Sequence, residues 1–146
     1  MLIRLISIGV MALAGTTLAA SEPTEVATAY LDAMENSDLD AAEKLFHAES
    51  LVFEGGKQEG SWKEYREHHL GPEIDAIEQF SVTRGEAVIG QSDDGSLAFV
   101  AIPIEYTIDL DSGDRFESRG TVTFVLSEVN GAFKIRHLHW SSRRKR

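Results

Sequence analysis

Along the amino-terminal half of the chain, apolar residues recur every three or four positions. From Phe80 onward they recur every second position. Val26, Tyr30, Ala33 and Met34, with Ala27 and Leu31, form one helical stripe. Ser21-Glu-Pro-Thr24 starts that helix with proline in its first turn. Asn36-Ser-Asp38 stops it and caps a second helix, whose stripe is Leu39, Ala42, Leu45 and Phe46. Leu51-Val-Phe53 reads as a short strand leading to Glu54 and the turn Gly55-Gly56. Ser61-Trp-Lys-Glu64 fits a capping box, in which the hydroxyl and the glutamate each serve a free backbone amide. It opens a third helix, expected to end at Gly71-Pro72 because proline cannot continue it. Ile74 and Ile77 share one side of a brief further turn.

The period-two region predicts strands at 80–90, 96–110, 115–128 and 132–142. Asp93-Asp-Gly95, Asp111-Ser-Gly-Asp114 and Asn130-Gly131 supply hairpin turns between them. Successive hairpins imply an antiparallel meander. Helices followed by strands imply an α+β layer, with the helices on one sheet face. One domain then covers residues 21–142, followed by a basic tail at 143–146.

Strand parity separates two faces. The even residues Ala98, Val100, Ile102, Ile104, Tyr106, Ile108 and Leu110 form an inner face. It continues through Phe116, Val122, Phe124 and Leu126. On the last strand the same parity selects Phe133, Ile135, His137, His139 and Ser141. The histidines begin where the apolar part of that face ends, the pattern of a pocket with an apolar base and a polar rim. Ile104 and Ile108 belong to the base, and Tyr106 is its one phenol. The other face carries Leu97, Phe99, Ala101, Val125, Leu138 and Trp140. So much apolar surface calls for a partner. A homodimer packed sheet against sheet, anchored by Leu138 and Trp140, is the expected one.

These residues resemble a family. Two amino-terminal helices, a short strand, a helix and a curved sheet are similar to the nuclear transport factor 2-like, or SnoaL-like, cone fold. The closing segment Asn130-Gly-Ala-Phe-Lys-Ile-Arg-His137-Leu-His139-Trp-Ser141 resembles that of the small DUF4440 proteins. It also resembles the association domain of calcium/calmodulin-dependent protein kinase II. There a Gly-x-Trp turn precedes His-x-His-x-Ser, and Phe133 replaces the tryptophan here. Tyr30-Leu-Asp-Ala-Met-Glu-Asn-Ser-Asp38 matches the family's opening helix. The resemblance spans about residues 24–142. It implies an amino-terminal helical layer on a curved antiparallel sheet. It leaves function open, because the family hosts enzymes, binding modules and oligomerisation domains on one scaffold.

Composition narrows the partners. The 146 residues hold 24 acidic and 14 basic side chains, for a net charge of −10, and no cysteine. Disulfides, thiolate metal sites and a cysteine nucleophile are thereby excluded. The acidity disfavours nucleic acid, whose binding rests on neutralising phosphates. Residues 1–20 show the order of a secretory signal: Arg4, an apolar run from Leu5 to Leu18, then Thr17-Leu-Ala19 before a cut. The run is shorter than the roughly 20 residues of a spanning helix. The protein is therefore expected to be exported, periplasmic or secreted, without stable membrane insertion. Removing residues 1–20 takes away Arg4 and no acid, which moves the net charge from −10 to −11.

The candidate chemistry is compact. His137, His139, Tyr106, Glu54, His69 and Arg119 are the candidate ligand-binding residues. By parity Arg119 falls on the outer face with Thr121 and Thr123, and so does Asp109. No metal is favoured, although His139 and His69 with Glu54 and Glu73 are the set that would hold one. No cofactor is expected. There is no Gly-x-Ser-x-Gly elbow and no glycine-rich phosphate loop. The leading expectation is an exported protein that binds a small, partly apolar molecule with one oxygen-bearing end in its cone pocket. The alternatives are an acid–base enzyme of the ketosteroid-isomerase-like kind, with Glu54 as base and Tyr106 or His139 as donor, or a pure assembly domain.

Overall fold

The computed structural model describes residues 21–146. The expected export signal at 1–20 lies outside the described residues. Helix α1 (Pro23–Glu35) begins where the Glu25 carboxylate accepts the Glu22 N–H at 3.1 Å. It buries Val26, Ala27, Tyr30, Leu31, Ala33 and Met34. Ser37 turns the chain with a positive φ of 55°. Asp38 then accepts the Ala41 N–H at 2.8 Å and opens α2 (Leu39–Glu43). The expected stripe overran this helix. Phe46 begins strand β1 (Phe46–Glu54) instead, where its ring stacks on Trp62 at 4.3 Å. Strand β1 is longer than the three residues expected. Strand β2 (Lys57–Gly60), which is polar and so carries no apolar alternation, folds back on it through Gly55-Gly56. Both glycines have positive φ, 57° and 83°.

The Ser61 capping box forms as expected: the hydroxyl accepts the Glu64 N–H, and the Glu64 carboxylate accepts the Ser61 N–H at 2.8 Å. The helix does not end at Gly71-Pro72. Helix α3 (Trp62–Tyr65), a π-helical turn (Arg66–Leu70) and α4 (Gly71–Ile74) run on without a break. The π turn absorbs the proline. Gly71 N–H donates to the Arg66 carbonyl, five residues back, and Pro72 starts a new helical turn, where its missing N–H costs nothing. A Cβ at Gly71 would sit 2.8 Å from that carbonyl, so glycine is needed there.

Strands β3 (Ile77–Arg84), β4 (Val88–Gln91), β5 (Leu97–Leu110), β6 (Arg115–Val129) and β7 (Ala132–Arg144) complete a curved, open sheet. Its order is β2-β1-β7-β6-β5-β3, with β4 also paired to β5. The strand expected at 80–90 is therefore two, broken at 85–87, both lying along β5. The β1–β7 pair is parallel and the other pairs are antiparallel. Strand β7 extends two residues into the expected tail. The Arg144 guanidinium lies 4.0 Å from the centre of the Phe116 ring, and Lys145 Nζ reaches Glu105 at 2.6 Å. The basic end is thus fastened to the sheet.

The helices cover the inner face. Arg84 ties β3 to α1 through Asp32 at 2.7 Å and through Glu35, which also accepts the Val82 N–H at 2.7 Å. Ala98, Val100, Ile102, Ile104, Val122, Phe124 and Leu126 are buried beneath, as parity predicts. On β7 parity fails. Leu126 pairs with Ile135, but Val125 pairs with His137, so Arg136 is an extra residue and the strand carries a β-bulge. Beyond a bulge every side chain changes face. Ile135, Leu138 and Trp140 are buried, while His137 and His139 face outward beside Phe53. Leu138 and Trp140 are core residues and cannot anchor a dimer from the outer face. Among the described residues, no helix is long and apolar enough to cross a membrane.

Candidate functional site

A cavity of about 90 Å³ opens between α1, the continuous helix at 62–74, and the inner faces of β3, β5 and β7. Its walls are apolar and aromatic: Met34, Leu70, Ile74, Ile77 and Ile108, with Tyr30, Phe80, Tyr106 and Trp140. The rings of Phe80, Tyr106 and Trp140 lie 5.5–6.3 Å apart and are inclined to one another by 46–71°. The polar end of the cavity is Glu54, the last residue of β1. Alternation along β1 puts Val52 and Glu54 on the inner face and Phe53 outside.

Tyr65 donates its hydroxyl to Glu54 Oε2 at 2.5 Å. His69, four residues on along the helix, places Nε2 3.5 Å from the same oxygen and 3.4 Å from Glu73 Oε2. Its Nδ1 lies 3.4 Å from Glu59. Burial raises the pKa of Glu54 above the ordinary carboxylate value. The Tyr65 hydrogen bond and His69 pull it back down, and the neighbouring acids Glu73 and Glu59 push it up. Burial also holds the Tyr65 phenol protonated, and the charge and hydrogen bond of Glu54 add to that effect. The buried Tyr30 phenol is raised by burial and by Glu54 in turn. Tyr30 is 1% exposed and lines the cavity.

Of the residues singled out in the sequence, Glu54, Tyr106, Glu73 and Ile108 line this cavity, and His69 stands behind Glu54. Tyr106 contributes its ring only, because its hydroxyl is bonded to Ser142 Oγ at 2.7 Å. Ile104 is buried but lies off the cavity. His137 and His139 are on the opposite face of the sheet, with ring centroids 6.5 Å apart. They therefore form no rim to the pocket. Burial and His139 hold the pKa of His137 below the usual imidazole value. Arg119 is also outside, in a groove with Arg84, Glu105 and Arg143. The set of His139, His69, Glu54 and Glu73 cannot converge on one metal, since the sheet separates His139 from the rest. Among the described residues no group of three His, Asp or Glu side chains is placed to hold one. Tyr30, Tyr65 and Trp140 were not foreseen as site residues. The four-residue spacing of Tyr65 and His69 in a capped helix is the one sequence signal that pairs them.

A sequence profile of the SnoaL-like domain matches residues 24–144. The chain belongs to the SnoaL-like family. Solved structures share the SnoaL-like fold at low identity. A nuclear transport factor 2-like superfamily protein from Salmonella enterica is 20% identical, with a TM-score of 0.73 over 84% of this chain and 89% of its own. A putative ketosteroid isomerase from Shewanella frigidimarina is 24% identical, with a TM-score of 0.65 over 80% and 91%. A putative calcium/calmodulin-dependent protein kinase II association domain from Xanthomonas campestris is 17% identical, with a TM-score of 0.68 over 86% and 91%. No curated protein matches the chain.

Proposed function

We propose that this SnoaL-like protein binds a small, partly apolar molecule in the Glu54 cavity, with the molecule's polar end at Glu54. The observation that carries this reading is the Glu54 carboxyl group, raised in pKa by burial, at the end of a mostly aliphatic and aromatic cavity that Ser37 and Glu73 also line. A few convergent polar groups in an apolar pocket are the usual form of a small-molecule site, and a pKa perturbed there strengthens the case. Filling the cavity tests it. Ile108→Trp keeps an apolar side chain but occupies the space. A thermal-shift screen of small neutral, cationic and anionic compounds should give ligands that stabilise the parent and lose at least about tenfold in affinity in Ile108→Trp. Ligands that bind both equally would place the site elsewhere.

A second reading is acid–base chemistry, as the likeness to the putative ketosteroid isomerase from Shewanella frigidimarina suggests. It is favoured by His69, which stands between Glu54 and the more exposed Glu73 and offers the buried carboxyl a proton path outward. A general acid or base needs such a perturbed group within reach of its substrate.

The outer sheet face supports a homodimer, now without Leu138 and Trp140. Leu97, Phe99 and Val88 are 49%, 43% and 60% exposed on it. The Phe99 ring lies over Gly90, where a Cβ would come within 2.2 Å of it. Sedimentation of the protein should show a dimer that Phe99→Glu splits, because a buried unpaired charge costs several kcal/mol. A monomer, or a dimer indifferent to the change, would refute this face.

A further inference from the structure

We propose that the ligand of this cavity is a small alkylammonium cation. The inference rests on the cavity reading above and adds the chemical class. Among the described residues no arginine or lysine lines the cavity, whereas two carboxylates, Glu54 and Glu73, do. An anionic ligand would meet these acids, with Glu59 behind His69, at the acidic end of the cavity. A neutral oxygen would gain a hydrogen bond there but nothing from the rings. A cation gains from both.

The aromatic walls carry the argument further. Phe80, Tyr106 and Trp140 make a corner of three rings inclined by 46–71°, and Tyr30 and Tyr65 stand on the other side. A guest between them meets ring faces from more than one direction, which is how aromatic boxes hold quaternary and tertiary ammonium groups. The Tyr30 phenol lines the cavity and offers a further lone pair or a donor to a hydroxyl on the guest. The net negative charge of the protein favours the approach of a cation.

Proton linkage follows. The groups facing Glu54 are Tyr65, Tyr30, His69, Glu73 and Glu59. A bound cation favours the ionised form of Glu54, so binding releases a proton and affinity rises with pH.

Choline, its neutral isostere 3,3-dimethylbutan-1-ol and the anion 3,3-dimethylbutanoate separate the possibilities, because they differ mainly in charge. In NMR titrations of the full protein at pH 8, choline should bind about tenfold or more tighter than the alcohol. The anion should bind weakest. Glu54→Gln should weaken choline about tenfold and leave the alcohol unchanged, and the folding of the variant can be checked by its spectrum. If the alcohol binds as well as choline, the cation is overturned and the cavity reading survives. If none of the three perturbs a lining residue, the cation is also overturned. The Ile108→Trp comparison then decides the cavity reading separately.

Discussion

Leu138→Ala is expected to lower the unfolding free energy by about 2–5 kcal/mol, and His139→Ala by less than about 0.5 kcal/mol. The two residues are neighbours on β7, and uninterrupted alternation would reverse the order. The bulge at Arg136 decides it. Leu138 is fully buried beneath α1, while His139 is exposed against Phe53. Burying Leu138 and Trp140 gains about 1.5–3 kcal/mol for each large side chain. Burying two imidazoles in their place would desolvate polar atoms without partners. Arg136 stays outside, 3.0 Å from His47 and 3.3 Å from Glu49, so the extra residue leaves no charge unmatched. Urea denaturation followed by circular dichroism measures both variants. A larger loss from His139→Ala would mean that the bulge is absent and the histidines are inside.

Glu54→Gln is expected to make the protein more stable at neutral and alkaline pH, with the advantage disappearing in acid. Folding raises the pKa of this carboxyl above its ordinary value of 4.5, so the folded chain holds the proton more tightly. Its contribution is fully present below 4.5 and is lost as pH rises through the folded value. Glutamine keeps an oxygen to accept the Tyr65 hydroxyl and carries no charge to desolvate. Melting temperatures of parent and variant from pH 4 to pH 8 should diverge as pH rises. Parallel curves would show that Glu54 is an ordinary carboxylate. The same substitution removes the charge that the proposed cation requires, so a gain in stability accompanied by a loss of binding is the combined signature.

Much of the fold is legible in the sequence, because its signals are local. The stripe of α1, the Ser61 capping box and the three long strands β5, β6 and β7 all follow from periodicity and turn chemistry. Strand β2 is not legible, since Lys57-Gln-Glu59 carries no apolar alternation. Neither is the helix through Gly71-Pro72, where a π turn removes the conflict that proline creates. The site is only half legible. Tyr106 lies on a strand in unbroken register with β6, Glu54 lies two residues beyond the buried Val52 and past the β1 irregularity between Phe46 and Leu51, and both reach the cavity. His137 and His139 follow a one-residue bulge, and a single inserted position sends both to the other face. The paired apolar residues Leu138 and Trp140 hinted at this, but alternation alone cannot say which of two sets is inside. Tyr65 meets Glu54 only through tertiary packing of the 62–74 helix against β1, which no spacing within either segment records.

The central claim is that the working pocket is the Glu54 cavity under the helices and not the histidine face outside. Methyl-labelled protein titrated with a bound ligand from the thermal-shift screen tests it directly. The Ile74, Ile77 and Ile108 methyls should shift together, while those of Val125 and Leu97 stay in place. Movement of Val125 and Leu97 with the cavity methyls unchanged would contradict the account.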